Sequence, residues 1–541
     1  RQTDWGIAVA LFIVTLVVYA RTLAPTLTWQ HDGADGGDLV SAAANFAVPH
    51  PSGYPTYMLL ARAFLLVPWG DEAYRLNLMS ALCASAAIAL FYWLALVDDA
   101  WVSRMSALTA ALLLAFAPAV WLQATITEVY TLHLLFIVAS LVALRRWRRQ
   151  RRARDAFAVG LLIGLGLGNH LTMGLVALAV VSLRVAAAVS RRRSNLHYAE
   201  EIASPAIMPQ ITQKFHRSRR IPNPPPAAGL PLVANPAGAG SFCLHAVRTR
   251  SGVSRNDVLA ATASLALGLC VYLYLPLASR FGSNLHWGRV DTFDTFAAHV
   301  GGELYRGYVF GVPLAAAPQR LVALVAMLLN EFQVWGVVFT VVGLATFRRD
   351  AAWSLALATL ALGSIVFAVG YNTRDSLRYL LPCWVVVAVW CADGMRATLN
   401  GLTARRALVA ALALLLIVGG VAAWRWPSLD LSGDHEAEQF ALRVLTPLPA
   451  RAMLVSASDR QTFALWYYTE VRRVRSDVIV VDRDLFGYAP YRAELGARGA
   501  RSNGLKNHLE PLSFDEFVKS NLGSRRIFVL DPTAGLSEIM P

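Results

Sequence analysis

The sequence predicts an α-helical polytopic membrane protein of about eleven spans, with a small soluble α/β domain after the last of them. Three observations carry that prediction. Of the 541 residues, 56% are hydrophobic and only 16% are charged, against roughly a quarter charged in a soluble chain. Apolar runs of ~20 residues, the length that crosses ~30 Å of hydrocarbon, recur along the chain. Past Trp426 the pattern changes to short β-branched runs alternating with a helical stretch.

The apolar runs fall at residues 5–24, 75–97, 103–122, 127–145, 155–171, 172–189, 256–276, 319–346, 351–370, 377–396 and 406–424. The first reads as an uncleaved anchor, since no small-residue cleavage pattern follows it. Arginine tests the count independently. "RRWRRQRRAR" (Arg145 to Arg154), "RRR" at Arg191, "FRRD" at Arg348 and "TARR" ending at Arg406 all fall on one side. With the N-terminus inside, that side is cytoplasmic.

Residues 1–424 therefore form a membrane bundle, with outer loops at 25–74 and 277–318. Residues 425–541 form a soluble domain on the outer face. Its apolar runs Met453 to Ser456 and Val478 to Val481 flank a helical stretch, Gln461 to Val471, and "RRIFVLDP" supplies a further strand. The Pro-, Gly- and Arg-rich insert 194–256 reads as a disordered cytoplasmic linker. The net charge of +14 follows from the arginine loops, so the partners expected are membrane lipids and not nucleic acid. Of five cysteines, Cys83, Cys270, Cys383 and Cys391 lie in apolar segments and Cys243 in the insert. No C-x-x-C or other metal spacing appears, and no metal ligand is assigned.

Ionisable residues at membrane depth are costly and mark candidate sites. Four stretches stand out, and on this topology all open outward. The first loop, "HDGADGGDLVSAAANFAVPHPSGYPTY", carries Asp32, Asp35, Asp38, His31 and His50. "TITEVYTLH" carries Glu128, Tyr130 and His133; "GLGLGNHLTM" carries His170; "YNTRDSLRYLLP" carries Arg374, Asp375 and Arg378. Each has a structural reading beside the functional one. Asp35 and Asp38 suit turns, Glu128 and His170 suit a packing pair, and the two arginines suit interfacial anchors. Asp32 reads as a solvated turn residue. His50, between Pro49 and Pro51, is held rigidly.

Carboxylates near arginines at an interface fit a lipid-phosphate donor and a neutral hydroxyl acceptor. A carboxylate acts as general base on the acceptor. Arginine grips the phosphate as leaving group.

Several motifs, taken together, resemble a GT-C-type membrane glycosyltransferase family. That family comprises bacterial and animal multi-pass proteins, formerly of unknown function, and includes an animal O-mannosyltransferase acting on receptor ectodomains. Its acidic D-S-G-E and following H-P-P-G-Y-P-L-Y stand here as "DGGD" (Asp35 to Asp38) and "HPSGYPTY" (His50 to Tyr57). "TEVYTLH", "NHLT", "YLPLASR" (Tyr274 to Arg280), "NLHWGR" (Asn284 to Arg289) and "RYLLP" are similar too. In the tail, so are "SASDRQTFALWYYTEV" and "RSDVIVVD". Asp38 stands where the family pattern has Glu, which leaves Asp35 and Asp38 both open as the base.

The resemblance implies a GT-C-like bundle and inverting transfer of a sugar, mannose foremost, from a polyprenyl-phosphate-linked donor. The acceptor is a Ser/Thr hydroxyl of an exported protein, or a glycan or other hydroxyl. Asp35 is the first choice of base, with Asp38 assisting. His50, Tyr54, Glu128, Tyr130, His170 and Trp287 are expected at the substrate, and Arg280, Arg374 and Arg378 at the donor phosphate. No cofactor is assigned, and a divalent cation is allowed. The competing expectation, a transporter or flippase of lipid-linked sugars, calls for broken helices and repeat symmetry. The sequence displays neither.

Overall fold

A computed structural model describes residues 2–203, 254–283, 287–500, 513–531 and 535–540. Among these residues, nine helices are long and apolar enough to cross a membrane. The count reaches ten if Trp101–Ala115 and Pro118–Ala124, which meet at 60°, form one bent span. The protein is an integral, multi-pass membrane protein. The fifth apolar run is a shorter helix, Ala153–Leu167, of 15 residues, roughly 22 Å long at 1.5 Å per residue; it returns from the arginine-rich end to the start of helix Tyr130–Gln150. It stops at Gly168 because Asn169 and His170 turn inward, with Asn169 Nδ2 donating to the Val129 carbonyl at 3.1 Å.

Other boundaries shift as well. The helix that begins at Gly174 runs to Ala203, into the first residues of the expected linker. The disorder expected for the rest of that insert lies, from 204 to 253, outside the described residues. The last membrane helix, Ala404–Leu429, passes the expected domain boundary by one turn.

Helix contacts follow small residues, as in membrane interiors where close backbone approach replaces a hydrophobic drive. A Cβ on Gly343 would lie 1.9 Å from the Trp390 carbonyl oxygen, and one on Gly394 would lie 1.8 Å from that of Phe339. Helices Ala317–Leu344 and Leu381–Asn400 thus touch backbone to backbone. Tyr19 and Trp121, both fully buried, hydrogen-bond to Ala115 O and Thr22 Oγ1. On the arginine-rich end, Arg148 pairs with Asp350 at 2.9 Å, so two of the basic loops meet.

The tail is a four-stranded sheet in the order β2-β1-β3-β4: β1 Met453–Ser456, β2 Ile479–Asp482, β3 Ile527–Asp531, β4 Gly535–Ile539. Central β1 runs parallel to both β2 and β3. β1 and β2 are buried along their whole length, which is why they read as short continuous apolar runs. β4, antiparallel to β3 and largely exposed, has no such signature.

The sheet domain sits on the first loop. Its helix Asp459–Trp466 packs on helix Gly36–Asn45. A Cβ on Gly37 would lie 2.3 Å from the Phe463 carbonyl oxygen, so only glycine permits the contact. Trp29 Nε1 donates to Arg460 O at 2.9 Å while the Arg460 guanidinium lies over the Trp29 ring.

Candidate active site

The first loop turns before it becomes helical. His31 and Asp32 adopt left-handed backbone (φ 57° and 60°), which is unfavourable without glycine and recurs at functional sites. Asp35 then ends a helical turn and Asp38 lies in the first turn of helix Gly36–Asn45. The chain returns through "HPSGY", where Gly53 (φ 83°) packs on Leu275 and His299 and the His50 carbonyl accepts from Gly53 N at 2.9 Å.

The two candidate bases have different surroundings. Asp38 is 2% exposed. Its Oδ2 accepts from His50 N at 3.0 Å and from His50 Nδ1 at 2.8 Å, and its Oδ1 accepts from Trp287 Nε1 at 3.0 Å. A carboxylate only accepts, so Nδ1 of His50 carries the proton and Nε2 faces the other way. That Nε2 lies 3.9 Å from Asp35 Oδ2, and the Asp35 side chain remains 42% exposed.

Asp35 opens into a cavity of about 660 Å³. Stretches distant in sequence wall it, among them the first loop, the segment around Tyr305, the turn at Arg374 and the sheet domain. Of the residues singled out from the sequence, Asp35, His50, Tyr54, Tyr130, His170, Trp287, Arg374 and Arg378 line it. Tyr130, His170, Tyr379 and Tyr371 form an aromatic wall, with successive ring centroids 5.7, 5.5 and 5.3 Å apart. Behind it, Thr172 Oγ1 bridges His170 Nδ1 at 2.7 Å and His133 Nε2 at 2.9 Å.

Two residues stand behind this wall. Asp38 is reached through His50 and Trp287. Glu128, 2% exposed, sits in the connector before helix Tyr130–Gln150, and its Oε1 finds no hydrogen-bond partner among the described residues. Arg280 is placed elsewhere. Helix Tyr274–Phe281 buries Tyr274, Leu275, Ala278 and Ser279, so Arg280 emerges on the opposite side, exposed, with its guanidinium 5.8 Å from the Phe281 ring centroid. It does not line the cavity.

The arginines differ in engagement. Arg378 Nη2 pairs with Asp32 Oδ2 at 2.6 Å, and the guanidinium lies 5.7 Å from the Tyr130 ring centroid. Asp32 is thus an ion-pair partner at the cavity and more than a solvated turn residue. Arg374 has no ion pair among the described residues.

Burial pushes the Asp35 carboxyl above the usual range; the charge of His50 opposes this and that of Asp38 adds to it. Burial alone would lower His50, but Asp35 and the hydrogen bond to Asp38 outweigh it and raise it. Glu128 is raised by burial and then by Asp35. Asp459 is raised to about 6 by burial, then by Asp482 and Asp35.

Sequence reasoning missed Asp459, Tyr305, Arg306, Tyr371 and Tyr379, all of which line the cavity. Asp459 had a signal: it follows the carboxyl end of β1, where open α/β sheets place ligand crevices. Tyr305 and Arg306 sit in short irregular turns without one. Among the described residues no three His, Cys, Asp or Glu side chains converge as metal ligands. The wall carries the carboxylates of Asp32, Asp35, Asp375 and Asp459, which do not converge as a ligand set among the described residues, and no step is derived through a divalent cation.

Comparison with known proteins finds relatives for both parts of the chain. The model of the protein O-mannosyl-transferase TMEM260 N-terminal domain matches residues 35–194, and that of TMEM260-associated domain 2 matches 437–528. The first spans Asp35 to His170 and the second holds Asp459. The mouse protein O-mannosyl-transferase TMEM260 is 24% identical over 90% of this chain. The Dictyostelium discoideum protein of that name is 28% identical over 33% of it. The chain spans 63% of the mouse protein's length and aligns with 23% of the Dictyostelium one's. In fold it is similar to ArnT from Cupriavidus metallidurans, solved with undecaprenyl phosphate bound. The TM-score there is 0.50 at 13% identity, with 89% of this chain and 90% of that one covered. The two family models, in this order along the chain, make it similar to the protein O-mannosyl-transferase TMEM260 proteins in both its bundle and its sheet domain, and its fold is shared with ArnT.

Proposed function

We propose that this chain is a membrane glycosyltransferase that moves a sugar, mannose by its relatives' names, from a polyprenyl-phosphate-linked donor to a hydroxyl acceptor. The acceptor is a Ser/Thr side chain of an exported protein, or a glycan hydroxyl, and transfer inverts the anomeric centre. The observation that carries this is the division of labour between the two aspartates. Asp35 is open to a large cavity shared with arginines, while Asp38 is spent on His50 and Trp287.

In this reading the acceptor oxygen attacks the anomeric carbon as its proton passes to Asp35. The bond from that carbon to the phosphate oxygen breaks, and its electron pair leaves on the lipid phosphate. Arg374, which has no ion pair among the described residues, and Arg378, paired with Asp32, receive that charge. His50, charged between two aspartates, opposes the rise that burial imposes on Asp35. The tyrosine wall offers the sugar and the first isoprene units a face that is both apolar and hydroxylated. Asp38 and Glu128 act from behind the wall, and Arg280 takes no part at the phosphate. By the arginine loops, the cavity faces outward.

The test is transfer by the full chain in nanodiscs, from a polyprenyl-phosphate mannose to a Ser/Thr peptide. Asp35→Asn is expected to lower the rate about 10²–10⁴-fold, the usual contribution of a general base. Full activity in that variant would remove Asp35 from the role. One observation favours the transporter reading: helices do break, at Pro118 and at Gln333 (φ 57°). Lipid-linked sugar crossing proteoliposomes without bond cleavage would establish it instead.

A further inference from the structure

We propose that a second, smaller cavity behind the Arg378–Asp32 pair is a binding site for one neutral polyhydroxylated ligand, the size class of a single monosaccharide unit. Its volume is about 230 Å³, and its polar lining includes Asp32, Gln123, Glu331, Arg374, Asp375 and Arg378. That is far more than the ~10–15 Å³ needed for one water and less than the ~300 Å³ at which drug-sized pockets begin.

The site is built by two interrupted helices. Ala317–Leu344 breaks at Gln333, two residues past Glu331. The bend between Trp101–Ala115 and Pro118–Ala124 lies opposite, and the freed Ala119 N–H donates to Glu331 Oε2 at 2.9 Å. Arg425, 4% exposed, donates to the Phe116 carbonyl at 2.7 Å and to that of Asn330. Irregular backbone within a bundle persists where protein groups or a lined cavity satisfy it. Ionisable side chains buried in spans are likewise functional by default.

The ligand chemistry follows from the wall. Gln123 is 5% exposed and lines the cavity, yet its Oε1 has no hydrogen-bond partner among the described residues. That oxygen only accepts, so it calls for an O–H or N–H donor. An anion would face the carboxylates of Asp32, Asp375 and Glu331, and a cation would face Arg374 and Arg378. A neutral polyol uses both sets, donating to carboxylate and amide oxygens and accepting from guanidinium N–H. The occupant is not the reacting sugar, because Asp35 lines only the larger cavity. It supports instead the rear of the arginine wall that the two cavities share.

Binding is measured without transfer, so the result stands apart from the reading above. Methyl α-mannopyranoside is offered to the full chain in nanodiscs and followed by saturation-transfer NMR, with inorganic phosphate as competitor. Gln123→Leu is expected to weaken binding about five- to tenfold, the effect of one lost hydrogen bond. Leu122→Trp, which fills the cavity and keeps every polar group, is expected to abolish it. Asp35→Asn is expected to leave the Gln123-dependent signal in place. Absence of glycoside binding, insensitivity to both cavity variants, or displacement by phosphate would each overturn the proposal.

Discussion

His50 and Asp38 are joined twice, by the backbone N–H of His50 at 3.0 Å and by its ring Nδ1 at 2.8 Å, both to one carboxylate oxygen. Because that oxygen sits on the first helical turn after Asp35, the pairing fixes the imidazole so that Nε2 faces Asp35 at 3.9 Å. One aspartate thus sets the charge beside the other without touching the cavity.

The first prediction follows from that chain. Asp38→Asn removes one of the two carboxylates that hold the proton on His50, so the imidazole's pKa falls, and the counter-charge Asp35 loses outweighs the relief from Asp38's own negative charge. Asp35 must be ionised to act as base, so the acid limb of the rate profile moves to higher pH. Asp38→Glu, with a carboxylate restored, moves the limb back. A pH–rate profile of each variant checks this, and a uniform fall at every pH would mean a merely structural role.

Gly37 gives a packing prediction. Its position leaves no room for a Cβ against Phe463, so Gly37→Ala forces the sheet domain off the first loop. Overpacking of this kind costs ~1–3 kcal/mol. Thermal melting and limited proteolysis between residues 425 and 460 should show the loosened domain, and transfer should fall with it.

Much of the site is legible in sequence, for a physical reason. Asp35, His50, Tyr130, His170 and Arg374 interrupt apolar runs, and an ionisable or polar group there is visible against its background. Arg280 looked equivalent because sequence does not report which way a helix end faces; the burial of Ala278 and Ser279 decides it. Asp459 lay hidden for the opposite reason. An aspartate after a strand in a polar domain is ordinary until that domain docks, through Gly37, onto a loop more than four hundred residues earlier. The fifth span was legible as an apolar run, but apolar length alone does not reveal that its helix ends at Gly168 to turn Asn169 and His170 inward.

The arginines separate by variant. Arg374→Ala is expected to raise KM for the donor by about tenfold or more, since charge-assisted hydrogen bonds to phosphate contribute ~1.5–3 kcal/mol. Arg280→Ala, an exposed change outside the cavity, is expected to leave KM and kcat unaltered and stability within about 0.5 kcal/mol. Donor titrations of the two proteins side by side decide between cavity and surface.

Asp459 links pH to stability with a definite sign. Its folded pKa of about 6 lies above the ~3.9 of an unfolded aspartate, so ionisation costs the folded state. Below about pH 4 the residue is protonated folded or unfolded, and no penalty exists. Between about pH 4 and 6 the penalty grows, and above that window it is complete. Asp459→Asn carries no charge at any pH, so its gain in melting temperature over the parent protein should be greater at pH 7.5 than at pH 4.5. Equal gains at both pH values would place the Asp459 carboxyl in ordinary solvent, away from Asp35 and Asp482.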